Sequence, residues 1–343
     1  MIWPKPELQE AAERFWARFT DPEADFEGLA LEAFRLQAQE NPVYRAYLNA
    51  LGVRPNLITS WRQIPPLPVE AFRHAPVCIG PPERAQAVFQ SSGTTASGRS
   101  RHYVQDLRFY DRSALTHFAQ AVGSGPLVLA AWLPGYAERP DASLLYMVRR
   151  LIEAFGRQGS GFAYPSLDRL RGAIEEADRS GSLFVLFGAA FGLLELLETH
   201  GPVPLPPKSL VIETGGMKGR RRELERGELH ELLARGFGLA RQQVLSEYGM
   251  TELLSQAYSR GGEVFYPPSW MRFRVVSPED PLGPELPEGE PGALVLVDLA
   301  NYWSVCAIQT QDLAVRRAEG FEVIGRLEGA PLRGCNLLLE RDL

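Results

Sequence analysis

Three stretches of this chain gather side chains suited to phosphate and nucleotide chemistry. The first is Ser91-Ser92-Gly93-Thr94-Thr95-Ala96-Ser97-Gly98, followed by Arg99, Ser100, Arg101 and His102. Glycines let backbone amides converge on phosphate oxygens, and hydroxyls add donors. Arg99 and Arg101 supply positive charge, and His102 is placed to contact a phosphate. The plainer reading is a solvent loop of small polar residues. The second is Ser246-Glu247-Tyr248-Gly249-Met250-Thr251-Glu252-Leu253, after an apolar strand. Here Tyr248 can stack on a base, Thr251 can touch a phosphate and Glu252 can hold Mg²⁺. The plainer reading is a strand-to-helix turn with a capping Thr. The third pairs Gln309-Thr310-Gln311-Asp312-Leu313 with Gly320–Arg326. Asp312 at a strand end can accept both hydroxyls of a ribose, although an isolated Asp is more often a turn residue.

The first stretch also approaches a Walker loop: Gly93, four residues, Gly98, then Arg99-Ser100. A Walker loop needs Lys where Arg99 stands and opens directly into a helix. Here His102-Tyr103-Val104 reads as extended. Leu294–Asp298 would have to serve as its magnesium-binding strand. This reading leaves the Tyr248–Glu252 stretch unexplained and is set aside.

The elements that must position these residues follow from hydrophobic periodicity. Residues 7–50 read as two helices. Proline-rich residues 65–68 connect them to a region of alternating strands and helices. Strands are expected at Ala87–Gln90, Leu127–Trp132, Leu183–Phe187 and Leu210–Ile212. Helices are expected at Leu107–Val122, Leu144–Phe155, Leu167–Ala177, Leu193–His200 and Arg222–Ala234. This alternation is the pattern of βαβ units and a largely parallel sheet. After about residue 262 helical periodicity stops. Strands are expected at Phe265–Tyr266, Phe273–Val276, Ala293–Leu299 and Phe321–Ile324, with Pro278–Gly292 an exposed loop.

Composition narrows the function classes. The chain has 343 residues, 45% of them hydrophobic, and a net charge of -6. A nucleic-acid partner held by phosphate neutralisation is not expected. Three cysteines, Cys78, Cys306 and Cys335, are too few for a disulfide framework or a zinc site and fit a reducing cytoplasm. No secretory signal is evident, and no membrane span is expected. The most apolar stretch, Leu183–Leu197, is interrupted by Gly188, Gly192 and Glu195. Only Lys5, Lys208 and Lys218 are lysines.

The three stretches, in this order, resemble the adenylate-forming superfamily of acyl-CoA synthetases, luciferases and peptide-synthetase adenylation domains. Within it the chain is more similar to the acyl-protein synthetase family, the fatty-acid ligase component of the bacterial fatty acid reductase of bioluminescence. Leu133–Arg139, Ser143–Val148, Glu213–Arg220, Glu247–Tyr258 and Arg333–Leu337 carry that closer likeness. The resemblance implies an α/β fold: an adenylate-forming-enzyme-like domain with parallel sheets and helices, then a smaller β-rich subdomain. Residues 1–76 would form a helical segment, 77–260 the nucleotide-binding core, and 261–343 the β-rich subdomain and tail.

The resemblance also implies roles. Ser92, Gly93, Thr94 and Thr95 would wrap the phosphates of ATP. Gly215 and Gly216 would approach the adenine and Tyr248 would stack on it. Thr251 would touch the α-phosphate, Glu252 would bind Mg²⁺, Asp312 would hold the ribose, and Arg326 would sit at a hinge near ribose and phosphate. The reaction implied is fatty acid plus ATP giving acyl-adenylate and pyrophosphate.

One departure matters. Most superfamily members carry a further mobile C-terminal domain with a catalytic lysine, which this sequence is expected largely to lack. Arg99, Arg101 and Lys218 are candidates for the missing cation. In the resembling family the acyl group passes to a cysteine near the C-terminus, and Cys335 fits that position. A thiolate there would keep the acyl group activated as a thioester, with Arg333 able to lower the thiol pKa. An acyl reductase is the expected partner. Two alternatives stay open: an acyl- or aryl-CoA ligase resembling phenylacetate–CoA ligases, and a non-catalytic adenylate-binding subunit. Cys78 and Cys306 read as core. His74, His117, His200 and His230 show no partner pattern.

Overall fold

The structure, a computed structural model, describes residues 3–91, 98–135, 139–215 and 224–327. Two compact units emerge. One comprises Met1–Ser113, Met250–Ser255 and Pro267–Leu343; the other comprises Ala114–Gly249 and Gln256–Tyr266.

In the second unit the short apolar runs become a buried sheet. Its order is Gly161–Phe162, Leu127–Trp132, Leu183–Ala189, Leu210–Thr214, Val244–Tyr248, Ala257–Arg260. All neighbours pair in parallel except the last, which runs antiparallel. Leu127–Trp132 is buried at every position, as a strand covered on both faces must be. The crossover helices are amphipathic. Leu167–Ser180 starts at Ser166, whose hydroxyl accepts from the Arg169 amide, and buries Leu170, Ala173 and Ala177. It stops at Gly181, whose φ of +63° suits glycine. The expected helices Leu107–Val122 and Leu144–Phe155 are present, the second running Ser143–Phe155.

The first unit opens with three helices, not the expected two: Pro6–Arg18, Phe26–Glu40 and Pro42–Ala50. The break falls at Asn41-Pro42. Pro42 cannot continue a helix, and the Asn41 side chain accepts from the amides of Val43 and Tyr44, starting a new one. Phe15, Phe19 and Phe34 from these helices are fully buried. Phe15 packs on Tyr302 with centroids 4.4 Å apart, and Phe19 packs on Phe109 at 5.4 Å.

An antiparallel sheet follows in the order Gly320–Arg326, Ala307–Arg317, Pro291–Asp298, Met271–Val276. The short strand Leu67–Pro68 runs parallel to Ile308–Gln309 at its side. Ala307–Arg317 carries no clear alternation in sequence, because its register shifts against both antiparallel neighbours. Asp312 was expected at a strand end. It lies inside this strand instead, paired with Arg326 at the end of the next. A separate ribbon pairs Ala87–Gln90 with Arg101–Val104. Among the described residues no helix is long and apolar enough to cross a membrane.

Candidate active site

The residue 91–100 connection joins the two strands of that ribbon. Its base is closed by a backbone bond from Ser91 N to Ser100 O at 3.1 Å and by Ser91 Oγ accepting from the Ser100 amide at 3.1 Å. A strand, not a helix, follows, so the Walker geometry is absent. Ser92, Gly93, Thr94 and Thr95 lie outside the described residues. Arg99 is half-buried and Ser100 is buried.

The Met250–Ser255 segment belongs to the same unit and is fixed from beneath. His102 is 1% exposed, and both its ring nitrogens are occupied, one with Thr251 O at 2.9 Å and one with Ser304 Oγ at 3.1 Å. Burial holds its pKa down to about 4. The sequence reading of His102 as a phosphate contact therefore gives way to a positioning role. Asn301 Nδ2 donates to Glu252 O at 2.8 Å, and its Oδ1 accepts from the Leu254 amide at 3.1 Å. Asp298, fully buried, accepts from the amides of Leu254, Ser255 and Ala300 and from the Ser255 hydroxyl. That saturation leaves it no role as the metal ligand of a Walker strand. Burial pushes its pKa up to about 6, against those hydrogen bonds.

The result presents Thr251, half-buried, and Glu252, 5% exposed. Burial raises the Glu252 pKa, opposed by a hydrogen bond from Ser100 and by the charges of Arg73 and Arg326. Arg326 also faces Asp312 at 3.6 Å. Thr251, Glu252, Asp312 and Arg326 thus form one neighbourhood, with Arg73 and Ser100 acting on Glu252. Arg73 had no signal in the sequence. It arrives because Leu67–Pro68 joins the sheet, Val69 N bonds Gln309 O at 3.0 Å, and Phe72 packs on His102 at 5.4 Å.

Glu252, a buried carboxylate, could supply the single protein ligand of a Mg²⁺ ion that otherwise binds substrate phosphates. Among the described residues no group of three or more His, Cys, Asp or Glu could cage a metal.

In the second unit Gly215 follows one parallel strand and Tyr248 ends its neighbour, the two in register at Thr214 and Glu247. Gly215 has φ +73°, which favours glycine. Tyr248 is half-buried and packs on Phe265 with centroids 5.5 Å apart. A Cβ at Gly249 would meet a Glu247 carboxylate oxygen, which would have to move aside. Gly216, Lys218 and Cys335 lie outside the described residues.

No protein family and no curated protein matches this chain in sequence. Solved structures do match in fold. An open conformation of 2-hydroxyisobutyryl-CoA ligase in complex with 2-HIB-AMP and CoA superposes at TM-score 0.67, with 14% identity over 88% of this chain and 69% of that one. The same ligase in its thioesterification state gives 0.66, with 14% identity over 93% and 69%. ATP-bound MatB from Rhodopseudomonas palustris gives 0.50, with 20% identity over 72% and 49%. The chain spans about two thirds of the ligase's length, 66–69%. Its fold is that of the adenylate-forming acyl-CoA ligases.

Proposed function

We propose that this chain activates a fatty acid with ATP and carries the acyl group as a thioester on Cys335. The carboxylate oxygen attacks the α-phosphorus of ATP, and pyrophosphate leaves. The Cys335 thiolate then attacks the acyl carbon, and AMP leaves. The observation that carries this reading is the neighbourhood of Thr251, Glu252, Asp312 and Arg326 on a ligase fold. Thr251 would donate to the α-phosphate, Asp312 would hold the ribose, and Arg326 would offset phosphate charge. Tyr248 and Gly215 would take the adenine. Bound at Glu252, Mg²⁺ would offset the charge of carboxylate meeting triphosphate. Ser92 to Thr95, Gly216 and Lys218 keep their expected phosphate and base roles. An acyl reductase would consume the thioester and give a fatty aldehyde.

The test is intact-protein and peptide mass spectrometry after incubation with Mg-ATP and mixed fatty acids. An ATP-dependent adduct, removed by hydroxylamine, mapping to Cys335 and lost in Cys335→Ser, is expected. One observation favours a second acceptor: the matching ligase is seen with CoA. Turnover that needs CoA and survives Cys335→Ser would establish that reading instead.

A further inference from the structure

Four arginines of the first unit surround too little negative charge. Arg272 and Arg274 alternate on the strand Met271–Val276 and so share a face of it. Arg62 comes from the turn Trp61–Gln63 and Arg316 from the strand Ala307–Arg317. Glu285, bridged to Val276, meets Arg316 at 3.7 Å and Arg62 at 4.0 Å, both too long for a hydrogen bond. Arg274 is 3% exposed; its Nη1 reaches Gly283 O at 3.4 Å and its Nε has no partner. Burial lowers the pKa of both strand arginines, and the charge of Arg62 lowers it further. Glu285 and Glu319 act in the opposite sense.

The aromatic contacts fix how two of these groups are presented. Arg272 lies over Phe26 at 4.7 Å, Phe26 meets Trp61 edge-on at 5.7 Å, and Arg62 lies over Trp61 at 4.5 Å. Stacking occupies a guanidinium face and leaves in-plane N–H groups for an acceptor; on Arg272 the Nη1 group already donates to Ser269 O at 2.8 Å and Met271 O at 3.2 Å. Four guanidinium groups face Glu285 and Glu319, with Glu27 held on the Trp61 amide at 2.6 Å, so positive charge is in excess. A buried guanidinium with an unmet donor, repelled by a neighbour of like charge, is costly without a counter-anion. We propose that Arg62, Arg272, Arg274 and Arg316 form a site for the dianionic head of a small phosphomonoester. Phosphate matches both the charge and the bidentate geometry. The adenylation proposed above does not use these residues.

The experiment is isothermal titration of the full chain with inorganic phosphate and with phenyl phosphate, at fixed ionic strength set by chloride. One saturable site for phenyl phosphate is expected. The double variant Arg62→Gln/Arg316→Gln, altered at side chains that are 59% and 40% exposed, should keep its fold and bind at least tenfold more weakly. Arg274→Met should do the same, and ATP-dependent pyrophosphate release should stay within about twofold in the double variant. No saturable binding, or binding unchanged in the double variant, overturns the site. Binding of inorganic phosphate alone overturns the phosphomonoester and leaves a free-phosphate site.

Discussion

Glu247 shows how much of a site's chemistry one side chain can hold back from solvent. The register pairs Glu213 with Ser246 and Thr214 with Glu247 across two parallel strands. On one face the Ser246 hydroxyl donates to Glu213 and meets His230 Nε2 at 2.7 Å. On the other, the Thr214 hydroxyl donates to Glu247. Burial pushes Glu247 up to about 7, the Thr214 bond pulls it down, and Glu213 pushes it up again. An unfolded Glu titrates near about 4.3, so folding takes up a proton between that pH and about 7. The contribution to stability is full below that window and falls as pH rises through it, by an order of 3–4 kcal/mol. Glu247→Gln keeps an acceptor for Thr214 and has no charge to bury. Its melting temperature should therefore fall less than the wild type's between pH 5 and 8, with the variant the more stable at pH 8. Asp298, raised to about 6, adds a slope of the same sign to both proteins, so the difference between the curves isolates Glu247. Parallel curves would remove Glu247 as the titrating group.

One element, the turn from Leu299 to Cys306, connects the N-terminal helices to the Thr251–Glu252 pair. Gln37, buried on the helix Phe26–Glu40, donates to Asn301 O and Tyr302 O at 3.0 Å each and accepts from the Cys306 amide at 2.9 Å. Asn41 donates to Ser304 O at 2.9 Å. Asp298, Asn301 and Ser304 then hold residues 251–255 directly or through His102. Gln37→Leu preserves bulk but leaves these backbone groups buried and unpaired, at about 1–3 kcal/mol each before relaxation. A lower denaturation midpoint is expected, with faster amide exchange at Leu254 and Ser255 by mass spectrometry. Unchanged exchange there would show that the turn does not transmit the loss. None of this was legible in the sequence. Leu127–Trp132 announces itself through its own apolar run, but Gln37 lies more than 260 residues from the groups it satisfies. Ala307–Arg317 was missed for a related reason. Its polar middle pairs on both sides, and register shifts break the alternation a reader would look for. Thr251, Glu252 and Asp312 were legible as residue types in sequence. The buried His102, Asn301 and Asp298 that fix Thr251 and Glu252 were not.

At the scale of the molecule, the proposed chemistry needs one reactive thiol among three. The fold disarms two of them. Cys78 is 1% exposed, and burial pushes its pKa up to about 11. Cys306 is fully buried, and burial, helped by the charge of Asp298, pushes it up to about 12. At pH 8 their thiolate fractions are of order 10⁻³ and 10⁻⁴, against about a quarter for a free cysteine. Sequence suggested both as core from their apolar neighbours, and the structure supplies the reason they stay inert. Cys335 is left as the acceptor that the proposed transfer requires. Native protein treated with iodoacetamide at pH 8 should therefore take one label, on Cys335, and three labels once denatured. Prior incubation with fatty acid and Mg-ATP should block the native label, and hydroxylamine should restore it. A native label on Cys78 or Cys306 would contradict the burial argument. A Cys335 that labels freely yet gains no protection from fatty acid and Mg-ATP would remove it as the acyl acceptor while leaving adenylate formation standing.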